Sequence, residues 1–139
     1  MSATTMRRHF ALCHRLSSAE ASQPATAAWV VARIHRYAGV AGVAPVVATA
    51  SGPEYQALSG RPVGPEMWGE ANWACGRRPV VYVDPAKART RGAAELVVAH
   101  EVAHVRWRSY GHRRVLFDRC QTLIDQVAAK DASEPAKLH

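Results

Sequence analysis

The sequence predicts an α+β domain with an N-terminal helix, a small antiparallel sheet, a histidine-bearing helix and a C-terminal helix. Three observations carry that prediction. Short β-branched runs near residues 43–49 and 78–84 have strand character, longer runs with apolar residues at helical spacing flank them, and Gly- and Pro-rich punctuation separates the two kinds. The chain has 139 residues, 48% of them hydrophobic, which is enough for one buried core over residues 24–130 with tails at 1–23 and 131–139. Neither an internal repeat nor a low-complexity linker argues for a second domain.

Residues 1–23 are rich in Ser, Thr and Ala, with Phe10, Cys13 and Leu16 at helical spacing, so they read as a tail or a short amphipathic helix. Pro24, behind Ser22, suits the first turn of a helix in which Trp29, Val30, Arg33, Ile34 and Tyr37 recur before a C-cap at Gly39. VAPVVATA then gives a strand near 43–49. The stretch from Ser51 to Pro65 holds Gly52, Gly60, Gly64, Pro53, Pro62 and Pro65 and reads as loop. EMWGEANWA and RPVVYVD are two strands joined by a turn at Cys75–Arg78, a β-hairpin.

After Asp84-Pro85 the pattern becomes helical. Residues 92–108 form an Ala- and Val-rich helix that Gly111 ends. The run from His112 to Lys130 forms another, with Val115, Leu116, Cys120, Leu123, Ile124 and Val127 on one core-facing stripe. The remaining DASEPAKLH is polar and expected to fray.

Charge and cysteine usage limit the function classes. Eighteen Lys and Arg against eleven Asp and Glu leave +7, which favours an acidic partner such as nucleic acid or a negatively charged protein surface. Cys13, Cys75 and Cys120 are odd in number and contain no C-x-x-C pair, which speaks against a zinc ribbon or redox couple and for a reducing, cytoplasmic setting. His14 and Arg15 interrupt the first apolar run before it reaches signal-peptide length, and nothing later approaches the roughly 20 apolar residues that span a bilayer. No membrane partner is expected.

The chemistry is concentrated in HEVAH, residues 100–104. Histidines four apart on a helix are separated by about 40° around its axis, so His100 and His104 can reach one metal ion from one face. Glu101, on the same turn, can take a proton from a metal-activated water without ligating the metal. The flanking LVVA and V residues suit burial, and a buried ionisable trio needs partners that a metal and water would satisfy. The bland reading is a hydrogen-bonded His/Glu cluster without metal. A catalytic zinc site needs a third protein ligand. His112 is the leading candidate because Gly111 can reverse the chain in front of it. Asp118 and Asp125 compete, each more than about 100° from His112 around the second helix, so the orientation of that helix decides between them. Trp107 lies about 20° from the His100 direction and either lines a metal pocket or packs in the core.

The segment ELVVAHEVAHVRWRSYGHRRVLFDRCQTLI, residues 95–124, resembles the active-site region of SprT-like and YgjP-like (WLM-type) HExxH zinc metallopeptidases. In those proteins HExxH is followed by a third histidine and then an aromatic residue on the next helix. MWGEANWACGRRPVVYVDP looks like the hairpin that precedes their active-site helix. The resemblance implies a zincin-like minimal metallopeptidase domain and a Zn2+ cofactor held by His100, His104 and His112. It also implies Glu101 as general base and a hairpin edge that aligns a protein or peptide substrate for hydrolysis. Phe117 stands one place later than the aromatic of the family pattern. No cysteine zinc ribbon is appended, and Trp107 occupies the position where metzincins have Gly.

On this reading Trp73, Trp107 and Tyr110 are the candidate substrate-binding aromatics, and the candidate oxyanion stabilisers are Tyr110, His or Arg side chains near the cleft, and the metal itself. Of Trp68 and Trp73, five residues apart and on opposite strand faces, one is expected in the core and the other near the cleft. Arg77-Arg78, Arg89, Arg91, Arg106, Arg108 and Arg113-Arg114 form either a DNA-binding surface beside the site or a solvated basic face. The alternative function is a nucleic-acid-binding or protein-interaction domain with a structural, non-catalytic metal.

Overall fold

The computed structural model of the protein describes residues 4, 5, 7, 18–73 and 78–134. The spacing of Phe10, Cys13 and Leu16, and the hairpin turn through Cys75, lie outside these residues. A helical turn, α1 (Ser18–Ala21), precedes the first long helix, α2 (Ala27–Ala41). Thr26, not Ser22, starts α2: its hydroxyl accepts from the Trp29 N–H at 3.2 Å. Pro24 is extended instead, bridged to Thr90, and the Ala25 N–H donates to the Arg89 carbonyl at 2.8 Å. The other end also differs from expectation. α2 runs through Gly39 and closes on Gly42, whose φ of 73° is the left-handed conformation of a glycine cap.

The stretch expected as loop contains a helix. After β1 (Val47–Thr49), α3 spans Gly52–Ser59. The Ser51 hydroxyl accepts from the Glu54 N–H at 3.2 Å, Pro53 occupies the first turn, and Gly60 closes the helix at φ 71°. The Ser, Pro and Gly read as loop punctuation are thus the start and stop signals of a short helix.

The hairpin strands are β2 (Gly69–Asn72) and β3 (Val80–Val83), antiparallel with Gly69 opposite Val83 and Asn72 opposite Val80. The sheet is mixed, not antiparallel throughout. Its order is β1-β3-β2, and β1 runs parallel to β3. Segment 50–79, which includes α3, is long enough for the crossover that a parallel pair requires. Among the described residues β2 is an edge strand. Successive β3 side chains face opposite sides of the sheet. Val81 and Val83 join the main core beneath the long helices, whereas Val80 and Tyr82 pack with Tyr55 of α3 on the other face.

The histidine-bearing helix, α4 (Arg91–Arg106), starts at Thr90, whose hydroxyl accepts from the Ala93 N–H at 3.2 Å. Every residue from Ala93 to Ala103 is buried, because α4 packs against α2, the sheet and the C-terminal helix. It stops at Arg106, earlier than expected. Trp107 leaves helical geometry at φ −124°, a 3-10 turn covers Arg108–Tyr110, and Gly111 follows at φ 56° and ψ −139°, a conformation open to glycine and costly for other residues.

The last helix, α5, runs from Arg114 to Ser133. Its buried stripe is Leu116, Phe117, Cys120, Leu123, Ile124 and Val127; Phe117 lies in the interior and Val115 at its margin. The fraying expected from Asp131 onward does not begin there. Asp131 receives Arg33 at 3.0 Å and Arg36 at 3.1 Å, and Glu134 receives Arg36 at 2.8 Å. Arg33 also bonds the buried Glu95 of α4 at 2.7 Å, and the Tyr37 hydroxyl donates to the same carboxylate. This network ties α2, α4 and α5 together. Among the described residues, no helix is long and apolar enough to cross a membrane.

Candidate metal centre and cleft

One helical turn separates His100 and His104 on α4, and their Nε2 atoms stand 2.8 Å apart. His112 Nε2 lies 3.2 Å from that of His100 and 3.1 Å from that of His104. His112 arrives from the segment between the 3-10 turn and α5, two residues before α5 begins, where the Gly111 conformation returns the chain toward α4. Burial grades across the trio: His100 is buried, His104 half-buried and His112 exposed. Phe117 packs beside the deepest ring, its centroid 6.0 Å from that of His100.

Asp118 and Asp125 do not join the group. Asp118 is exposed and lies 3.9 Å from Arg114, and Asp125 accepts from Gln121 at 2.9 Å. The orientation of α5 thus brings His112, and neither aspartate, to the two histidines of α4.

Three ring nitrogens this close cannot satisfy one another as hydrogen-bonding partners, because a neutral imidazole offers one donor and one acceptor at separate atoms. A cation accommodates three converging lone pairs, so the donor set can hold a metal ion. Burial, followed by the charge of His112, lowers His104 to a pKa of about 4. His104 is therefore neutral at pH 7, the protonation state that ligation needs.

Glu101 is buried, and its Oε2 has no hydrogen-bond partner among the described residues. Burial pushes its carboxyl up to about 8, and the charge of Glu70 acts in the same direction. Both the trio and Glu101 open into a cleft of about 540 Å³ whose opposite wall is the edge strand β2 and Trp73. Gly69 lets that wall approach. A Cβ there would stand 2.7 Å from the Tyr82 carbonyl oxygen, 2.8 Å from Val97 Cγ1 and 3.3 Å from Glu101 Cγ.

No protein-family model, curated protein or solved structure matches this chain. What the site can do therefore rests on its own residues: HEVAH on α4 and His112 beyond Gly111.

The other candidates divide. Trp68 and Trp73 both pack against the core, and Trp73 also lines the cleft. Trp107 and Tyr110 are not in the cleft wall. Their rings stack with centroids 6.3 Å apart and lean on the core, because α4 ends before Trp107 and the helical projection toward His100 stops applying. Of the predicted basic residues, Arg91 lies over Trp29, Arg106 over Trp107, Arg113 over Tyr110 and Arg108 over Trp73. Arg77 lies outside the described residues.

Sequence reasoning missed Arg61, Glu70 and Asn72 as cleft residues. Glu70 accepts from the Tyr55 hydroxyl and from Arg61 Nε at 2.6 Å, so one carboxylate links α3, the loop after it and β2. The available signal was a charged residue alternating with small ones in GEAN, which marks the strand but not its partners.

Proposed function

We propose that the protein is a zinc-dependent endopeptidase of minimal zincin-like, SprT-like architecture. One observation carries the reading: three imidazole nitrogens converge within 3.2 Å beside a buried carboxylate oxygen without a hydrogen-bond partner among the described residues, in one cleft walled by an edge strand. His100, His104 and His112 would hold the ion, and an all-imidazole site favours zinc. Bound zinc supplies Lewis acidity to water and to a substrate carbonyl.

Glu101 is the proton carrier. A cation at the three histidines would favour its ionised form over the protonated carboxyl of the metal-free site, and in that form its Oε2 would take the proton of the attacking water and pass it to the leaving amine. Phe117 packs beside the deepest imidazole, and β2, an edge strand among the described residues, orients an extended peptide through backbone hydrogen bonds. Such pairing reads the backbone more than the side chains, which suits unfolded or flexible protein segments.

The test is cleavage of a denatured protein by the zinc-loaded chain, with and without chelator, alongside Glu101→Gln. The variant is expected to retain zinc and to lose at least about 100-fold in rate. A Gln variant that cleaves at the parent rate overturns the proposal.

A further inference from the structure

The charged groups around the cleft are unequally neutralised. Arg61 and Glu70 form an ion pair at 2.6 Å. Arg108 also lines the cleft and is exposed, yet among the described residues no carboxylate pairs with it. Its guanidinium instead lies over the Trp73 ring, 4.0 Å from the centroid. Stacking on an indole holds a guanidinium in place through its face and leaves its edge N–H groups available, and that edge matches a carboxylate in a two-point fork.

Position adds direction. Trp73 follows Asn72, the last residue of β2, without a gap, so a peptide extended along β2 passes the Trp73 and Arg108 pair at that end of the strand. Arg108 lies four residues beyond His104, at the mouth of the same cleft. A neutral or basic side chain there meets an unopposed cation, whereas an acidic one gains a charge-assisted pair.

We infer that Arg108, held over Trp73, forms a subsite for an Asp or Glu side chain of the substrate, so that the cleft selects peptides carrying an acidic residue at a fixed place on one side of the scissile bond. The inference rests on the peptidase reading above, and binding separates the two. The probes are peptide pairs that differ only in Asp against Asn or Glu against Gln, scanned position by position. Their binding to zinc-loaded Glu101→Gln protein is read by fluorescence polarisation, and their cleavage by the parent is read by rate.

At one position the carboxylate peptide is expected to exceed its amide twin by about two- to fivefold, the size of a partly exposed charge pair, with the ratio shrinking in salt. Placing Arg108→Ala in the same background brings the ratio to one, and Arg108→Lys restores part of it. A ratio near one at every position, or one that survives Arg108→Ala, overturns the subsite. So does failure of all peptides to bind while a single-stranded DNA oligonucleotide binds through Arg108. If the parent cleaves nothing but the Arg108-dependent binding ratio persists, the peptidase reading fails and the acidic subsite stands.

Discussion

Replacing Gly69 with alanine places one methyl group where β2 crosses α4, and the structure sets its cost. The new Cβ would sit 2.7 Å from a backbone oxygen of β3 and 2.8 Å from Val97 Cγ1, both inside contact distance, with Glu101 Cγ at 3.3 Å. The oxygen belongs to the sheet and Val97 is fully buried, so neither has room to retreat. Forced overpacking of this kind costs about 1–3 kcal/mol. An unfolding entropy of about 2.1 cal/mol/K per residue makes about 0.3 kcal/mol/K for the chain, so the midpoint should fall by about 3–10 °C.

Gly39→Ala is the matched control. Gly39 lies inside α2, and a Cβ there meets nothing within 4 Å. The exchange should stabilise by about 0.5–1 kcal/mol, raising the midpoint by about 2–3 °C. Thermal melts of both variants in chelator isolate the packing term. A Gly69→Ala midpoint within about 1 °C of the parent would refute the claim that β2 is held at minimum distance from the helix turn carrying Glu101.

Other consequences follow from the buried groups. Glu95→Ala leaves the buried Tyr37 hydroxyl and the half-buried Arg33, which keeps Asp131, without their shared carboxylate, so chemical denaturation should register a loss of about 1.5–3 kcal/mol; a loss under about 0.5 kcal/mol contradicts the network. Metal-free protein should become less stable as pH rises from 6.5 toward 8. Folded Glu101, with a pKa near 8, keeps a proton that the unfolded carboxyl, at 4.5, has already released. The slope is at most about 1.4 kcal/mol per pH unit, and Glu101→Gln removes it. Below 6.5 His104 acts in the opposite sense, since the unfolded imidazole binds a proton that the folded one refuses until about pH 4. Melting in chelator across pH reads both limbs, and a midpoint that is flat or rising from 6.5 to 8 counts against the burial of Glu101. His112→Ala, at an exposed position, should change the chelated midpoint by less than about 0.5 kcal/mol equivalent while weakening zinc binding; zinc titration reads the difference, and unchanged affinity excludes His112 as a ligand.

The convergence of three histidines was legible because its logic is local. Two histidines one helical turn apart need only the helix, and Gly111 announced the reversal that delivers His112. The cleft wall was not legible. Glu70, Arg61 and Tyr55 meet only after α3 folds onto the sheet, and no periodicity in the chain announces that meeting. α3 itself was hidden because Ser51, Pro53 and Gly60 serve as helix caps with the same chemistry that makes them turn residues. Strand direction was equally out of reach, since the alternation in VAPVVATA is the same whether β1 pairs parallel or antiparallel. Glu95 reads as one more residue of an apolar helix until Arg33, 62 positions away, comes to meet it.

Elemental analysis of protein purified from zinc-containing medium without chelators tests the central claim most directly. About one zinc per chain is expected for the parent and for Glu101→Gln, and far less for His104→Ala. A parent protein carrying no stoichiometric transition metal contradicts the account.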